Sequence, residues 1–364
     1  MSTPVSRENP LLSPTVLPRP RSIAVIGAGT IGPDIAYYLA STLPEARLLL
    51  VDVVDAALER ARERIAKTAD KGVKKRKLSV QDAARITGAI TTTLSYADIA
   101  GSDWVLEAAT ERLELKRKIF TQVESLVRAD AWITSNTSSL PASRLFSHLQ
   151  HPERATVTHF FAPAFQNPAV EVVRWPRVHG DVVEALRALF AATGKVPLVT
   201  SDALCFMLDR VFDNWCNDAA HLLDDATAAE VDAVASAFVH AGPFQVLNLA
   251  RGNPIIVETN TLQMEEGACY RPARIFDSVN EWKTLAPGAT MAVADDVLAR
   301  VRDRLLGVLF SQTVDILDRG IGTAADLDLG CVLGLGFKRG PLELMRALGD
   351  VETARIIERF ARER

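Results

Sequence analysis

The stretch RSIAVIGAGTIGPDIAYYLA, residues 21–40, leaves a chain few ways to fold. A short apolar run over 23–26 passes directly into glycines at 27, 29 and 32, and an amphipathic pattern begins at once. This is a strand, a tight turn and a helix. Glycine in the turn lets the backbone come close to a pyrophosphate while helix N-terminal N–H groups face it. Gly27, Gly29, Thr30, Ile31 and Gly32 therefore read as a dinucleotide cradle. Pro33 falls in the first helical turn, where its missing N–H removes nothing. The next apolar run, ARLLLVD, ends at Asp52, about twenty residues past Gly32, where a carboxylate can accept ribose hydroxyls. A 2′-phosphate would be repelled there and no arginine stands beside it. The predicted cofactor is NAD.

Strand signals recur at 86–93, 104–108, 131–135, 156–161 and 170–173, with a helical stretch at 114–127 between two of them. The alternation predicts an α/β N-terminal domain, a Rossmann-type doubly wound parallel sheet with an added edge hairpin. Ligands collect beyond the carboxyl ends of such strands. Glu107, Glu111, Asn136 and Ser138 all follow strand ends, so all could face one crevice.

Residues 134–173 set polar groups among apolar runs: a Ser/Thr cluster, His159 after β-branched residues, and Glu171 between valines. Buried without partners, each would cost roughly 1–3 kcal/mol. Here GAGTIG, VLEAATERLELK, SNTSSL and HFF-x-P followed by VEVV, in this order, resemble the L-3-hydroxyacyl-CoA dehydrogenase family of β-oxidation. The resemblance covers nearly the whole chain after residue 20. It implies NAD-dependent, reversible oxidation of a 3-hydroxyacyl-CoA, with His159 as base, Glu171 as its partner and Ser138 on the substrate oxygen. Glu111, Lys116 and Asn136 match positions that contact the cofactor. Lys67, Lys71, Lys74 and Lys75 lie in the stretch that meets CoA, where ammonium groups suit phosphates. Read without the resemblance, that basic run is a solvated helix end.

Departures from the family pattern are as specific as the matches. Ala162 stands where H-F-F-N-P has Asn, and DALCFMLDR replaces D-x-P-G-F-x-x-N-R, so that Leu204, Cys205 and Asp209 take the places of Pro, Gly and Asn. An ionised Asp209 accepts hydrogen bonds and cannot donate them, so it opposes a developing oxyanion. Two other readings stay open: a binding or assembly protein with little catalysis, and a dehydrogenase of a free hydroxy acid.

Helical patterning takes over after residue 200, and T-A-A-acid-apolar-D followed by G-P-apolar occurs twice, from Thr227 and from Thr323. The expected organisation is a flexible arm (1–20), the NAD-binding domain (21–199), a helical domain copy with its connector (200–291), and a second copy (292–364). The resemblance implies that two copies packed together can replace a dimer contact, giving a monomer or weak homodimer; the alternative is that the second copy simply enlarges the core. A formal charge of −4 argues against general nucleic-acid binding. Cys205, Cys216, Cys269 and Cys331 lack the spacing of a metal site or disulfide framework. No apolar run spans a membrane or forms a signal-peptide core. The expectation is a cytoplasmic protein without a structural metal.

Overall fold

A computed structural model describes residues 19–286 and 289–363. Most of the arm expected over 1–20 lies outside them. The chain divides into two compact units after Asp202, three residues beyond the expected boundary.

The first unit is one eight-stranded sheet in the order β3-β2-β1-β4-β5-β6-β7-β8. Its strands are β1 (Ser22–Ile26), β2 (Arg47–Val51), β3 (Ile90–Thr93), β4 (Trp104–Glu107), β5 (Trp132–Ser135), β6 (Ala155–Phe160), β7 (Ala169–Arg174) and β8 (Val196–Ser201). The first six run parallel, and the order reverses between β1 and β4, which opens a crevice at their carboxyl ends. Covering helices include α1 (Gly32–Thr42), α2 (Asp55–Lys74), α3 (Val80–Gly88), α4 (Leu113–Leu126), α5 (Ala142–Phe146) and α6 (Gly180–Ala192). Ile23, Val25, Leu48, Leu50, Trp104, Leu106 and Phe160 share a core with Ile35, Leu39, Leu186 and Phe190.

Two sequence expectations need correction. Residues 86–88 belong to α3, because Ser79 caps that helix by accepting the Asp82 N–H at 2.9 Å and Ala83 and Ile86 supply its buried face. The strand starts only at Ile90. The antiparallel pair β6/β7 exists, but it is not the edge: β8 lies beyond it, parallel to β7.

The second unit is helical. It contains α7 (Leu208–His221), α8 (Ala228–Ala235), α9 (Pro243–Ala250), α10 (Asn253–Gln263), α11 (Asp295–Asp318), α12 (Ala324–Leu335), α13 (Pro341–Leu348) and α14 (Asp350–Glu363). The repeat seen in the sequence is also structural. Thr227 and Thr323 cap α8 and α12 by accepting the N–H three residues on. Asp232 then accepts the Phe244 and Gln245 N–H groups at 3.0 and 3.1 Å, holding the start of α9, while Asp328 accepts the Leu342 N–H at 2.8 Å at the start of α13. Both copies need glycine before the proline, since a Cβ on Gly242 or Gly340 would stand 2.3 Å from the aspartate carboxylate. The copies pack reciprocally: α11 of the second lies on α8 of the first, and α7 of the first on α12 of the second. They also share a short antiparallel bridge, with the His240 N–H on the Gly336 carbonyl at 3.0 Å and the Lys338 N–H on the Phe238 carbonyl at 2.7 Å.

Candidate active site

The turn after β1 has the conformation its glycines predict. Gly27 sits at φ +107, and a Cβ there would lie 2.5 Å from the Ala108 carbonyl oxygen, so the end of β4 presses against the turn. A Cβ on Gly32 would overlap the Gly27 carbonyl at 1.8 Å, which fixes how closely α1 approaches. At Gly29 a Cβ would meet nothing within 4 Å. Gly29 and Thr30 are exposed and Ile31 is the half-buried N-cap of α1, so this is the face a pyrophosphate can approach. Asp52 lies beside it: its Oδ2 accepts the Ala28 N–H at 2.7 Å and its Oδ1 the Val54 N–H at 2.9 Å. That holds the carboxylate at the mouth of β2 while its remaining lone pairs stay available to ribose hydroxyls. The residues present fit a dinucleotide.

His159 and Glu171 are direct partners across the antiparallel β6/β7 ladder. Both are buried, and Nδ1 lies 2.8 Å from Glu171 Oε2. An ionised carboxylate can only accept, so Nδ1 carries the proton and the basic lone pair sits on Nε2. Phe161 packs on the ring at a centroid distance of 4.3 Å, limiting its rotation. Sequence spacing of twelve thus becomes contact through one strand reversal.

In the turn after β5, side chains alternate in role. Ser135, Thr137 and Ser139 are buried and point to carboxylates, whereas Asn136 and Ser138 are only half-buried. Ser135 Oγ donates to Glu107 Oε2 at 2.5 Å, Thr137 Oγ1 to Glu111 Oε1, and Ser139 Oγ to the same oxygen at 3.1 Å. Asn136 Oδ1 accepts the Phe160 N–H at 2.9 Å, tying this turn to the strand of His159 and orienting its amide nitrogen away from that bond. Ser138 is the hydroxyl left between two committed neighbours.

Lys116, on α4, is sequestered beneath this turn and only 1% exposed. Its Nζ lies 2.8 Å from Glu107 Oε1 and 3.0 Å from Glu111 Oε2. The carboxylates outweigh the desolvation and hold its pKa above the ordinary lysine value, while Lys116 and the hydroxyls of Thr137 and Ser139 offset the burial of Glu111 and hold its carboxyl below the usual range. Glu107, expected at the crevice from its place at a strand end, is instead fully buried beneath the turn, because Lys116, Ser135 and the Ala109 N–H draw its carboxylate inward. The available signal was a lone acid ending the apolar run WVLE, with a lysine nine residues on.

Lys67, Lys71 and Lys74 on the last turns of α2 and Lys75 at its C-cap are all exposed, opposite the buried Ala61, Ile65 and Ala69. The same segment is thus both a solvated helix end and an accessible cationic patch. Asp209 lies in the first turn of α7, in the second unit. Its neighbour Arg210 is buried and directed to Glu266, with Nη2 at 2.5 Å from Oε2 and Nε 3.7 Å from Asp315 Oδ2. Among the described residues, no group of three or more His, Cys, Asp or Glu side chains could hold a metal ion, and no helix is long and apolar enough to cross a membrane.

Comparison with known proteins agrees with this geometry. The family described as 3-hydroxyacyl-CoA dehydrogenase, NAD binding domain, matches residues 22–203, and the 3-hydroxyacyl-CoA dehydrogenase C-terminal domain matches 301–364. Relatives include the fatty acid oxidation complex subunits alpha of Shewanella amazonensis, 26% identical, and Pseudomonas entomophila, 28% identical. Each alignment covers 94% of this chain and 53% of the relative, so the chain spans about half the length of those proteins. Among solved structures, 3-hydroxybutyryl-CoA dehydrogenase from Escherichia coli shares the fold at a TM-score of 0.81, with 22% identity over 93% of this chain and 94% of that one. The (S)-3-hydroxybutyryl-CoA dehydrogenase from Ralstonia eutropha is 28% identical at a TM-score of 0.66, covering 71% of this chain and 93% of its own. A dinucleotide turn closed by Asp52, a buried His159–Glu171 pair and two family matches that bracket the chain lead to one conclusion: it belongs to the 3-hydroxyacyl-CoA dehydrogenase family and carries that family's NAD-binding domain.

Proposed function

We propose that the chain catalyses the reversible, NAD-dependent oxidation of a 3-hydroxyacyl-CoA to the 3-ketoacyl-CoA. The observation that carries this reading is the His159–Glu171 pair, an imidazole held by a buried carboxylate at 2.8 Å. Bound NAD⁺ supplies the hydride acceptor. In the oxidation, His159 Nε2 takes the hydroxyl proton as the C3–H hydride leaves, and the imidazolium so formed is stabilised by Glu171 through Nδ1. Ser138 orients the reacting oxygen, and Asn136 holds its turn against β6. In reduction the same imidazolium returns the proton. Asp52 binds the adenine ribose. Lys67, Lys71, Lys74 and Lys75 meet the CoA phosphates as point charges, which favours an acyl-CoA over a free hydroxy acid. A cytoplasmic setting is supported by the buried cysteine thiols of Cys205 and Cys216, and a monomer by the reciprocal packing of the two helical copies.

A second reading, a nucleotide- or acyl-CoA-binding protein with little catalysis, is favoured by Asp209 and Ala162 in place of two amides. The deciding experiment is NADH oxidation with a panel of 3-ketoacyl-CoA esters that includes acetoacetyl-CoA. Turnover of any member is the expected result. An inactive panel alongside tight NADH binding would leave the binding protein as the better account.

A further inference from the structure

The mechanism uses His159, Glu171 and Ser138 but leaves a buried group unexplained. Glu107 ends β4 with no exposed surface, and its carboxylate accepts four hydrogen bonds from three donors: Lys116 Nζ at 2.8 and 3.1 Å, the Ala109 N–H at 2.7 Å and Ser135 Oγ at 2.5 Å. Two of these reach the turn that carries Asn136 and Ser138. On one path Ser135 Oγ also accepts the Thr137 N–H at 3.2 Å. On the other, Lys116 passes to Glu111, which holds Thr137 and Ser139 from below. The third donor, Ala109 N–H, fixes the segment whose Ala108 carbonyl lies against Gly27. One carboxylate therefore touches the supports of both the dinucleotide turn and the reacting-oxygen turn.

We propose that Glu107 is a positioning residue, which sets the Asn136–Ser138 turn through Ser135 and through a Lys116 ammonium that it keeps in place. The inference rests on the dehydrogenase reading for its effect on rate. Its effect on cofactor binding is independent of that reading. Lys116 and its two carboxylates carry a net charge of −1 when all are ionised. Removing the Glu107 charge takes away one of the two carboxylates that hold the buried ammonium against desolvation, so Lys116 loses its proton at a lower pH than in wild type. The other titratable group beside Glu107 is Tyr96, whose phenol is pushed up to about 12 by burial and by the charges of Glu107 and Asp52. It does not titrate in the window tested.

The test compares wild type, Glu107→Gln and the double variant Glu107→Gln/Lys116→Met. NADH affinity is measured by fluorescence from about pH 7.5 to about pH 9.5, above the range in which a histidine titrates. The expected result is an alkaline loss of affinity in Glu107→Gln beyond any slope that the buried Lys195 gives all three proteins, and no such extra limb in wild type or the double variant. With a turned-over 3-ketoacyl-CoA, Glu107→Gln lowers kcat about 10- to 100-fold, the scale of a small misplacement of reacting groups. If the glutamine variant does not fold, Ser135→Ala severs one tether while leaving the charges intact, and kcat or NADH affinity must still fall. Superimposable pH profiles for wild type and Glu107→Gln, or a Ser135→Ala protein with unaltered kcat and affinity, would overturn the proposal. Should wild type turn over no substrate, the dehydrogenase reading fails, and the NADH profiles still decide the role of Glu107.

Discussion

His159 and Lys195 are both buried bases with opposite means of support. His159 has a carboxylate at 2.8 Å, so replacing it by Gln should lower turnover by a factor on the order of 10²–10⁴ and leave NADH affinity nearly unchanged. Stopped-flow turnover and a fluorescence titration check the two halves, and an active glutamine variant would make the histidine structural. Lys195 is supported only by neutral groups: its Nζ donates to the carbonyls of Ala164 and Asn167 and lies 4.5 Å from the Tyr38 ring centroid. It thereby clamps the loop between the strands of His159 and Glu171. Burial pushes its pKa down to about 8 from an ordinary value of 10.5. Between those values the unfolded chain binds a proton that the folded chain has lost, so this residue's contribution to stability rises with pH across that window. The melting temperature of wild type relative to Lys195→Met should therefore shift in favour of wild type between about pH 7.5 and about pH 9.5. A constant or opposite difference would mean that the carbonyls and the ring keep the ammonium charged.

At the scale of elements, the strand–turn–helix and the His159–Glu171 pair were legible because their geometry is local or spans one strand reversal. The edge strand β8 was not, since Pro197 interrupts its pattern; an edge strand tolerates proline because one side of its backbone needs no partner. Glu107 was picked out as a residue facing the crevice, but its anchoring role was hidden: its partners Lys116 and Ser135 come from two other elements, and a single acid at a strand end does not reveal them. The helical repeat was legible as letters, and the structure supplies their physics. Each copy places an aspartate over the start of a G-P helix, leaving no room for a side chain at the glycine. Gly242→Ala and Gly340→Ala should each destabilise by about 1–3 kcal/mol, as overpacking does. Gly180→Ala, where a Cβ meets nothing within 4 Å, should stay within about 0.5 kcal/mol. Chemical denaturation of the three variants measures this, and equal effects at all three sites would remove the clash from the explanation.

The scale of the whole chain is governed by the reciprocal packing of the two helical copies. The middle of helix α11 is deeply buried, with Val301, Leu305, Leu306, Val308, Leu309, Phe310 and Ile316 all at 1% exposure or less. It also ties to α7 by polar contacts, the Trp215 indole donating to the Leu305 carbonyl at 3.1 Å and Arg304 meeting Asp218 at 2.5 Å. Burying each of those side chains is worth about 1.5–3 kcal/mol, so together they supply roughly as much as the whole net stability of an ordinary domain, about 5–15 kcal/mol. A first copy deprived of the second would expose the faces of α7 and α8 that α11 and α12 cover, an apolar area too large to leave in water. Truncation near residue 292 should therefore self-associate or aggregate, whereas the intact chain should sediment as a monomer. The copies cover one another's apolar faces, which is the ground for expecting a monomer. A tight dimer of the intact protein together with a well-behaved monomeric truncation would reverse the assignment and return the helical copies to an intermolecular role.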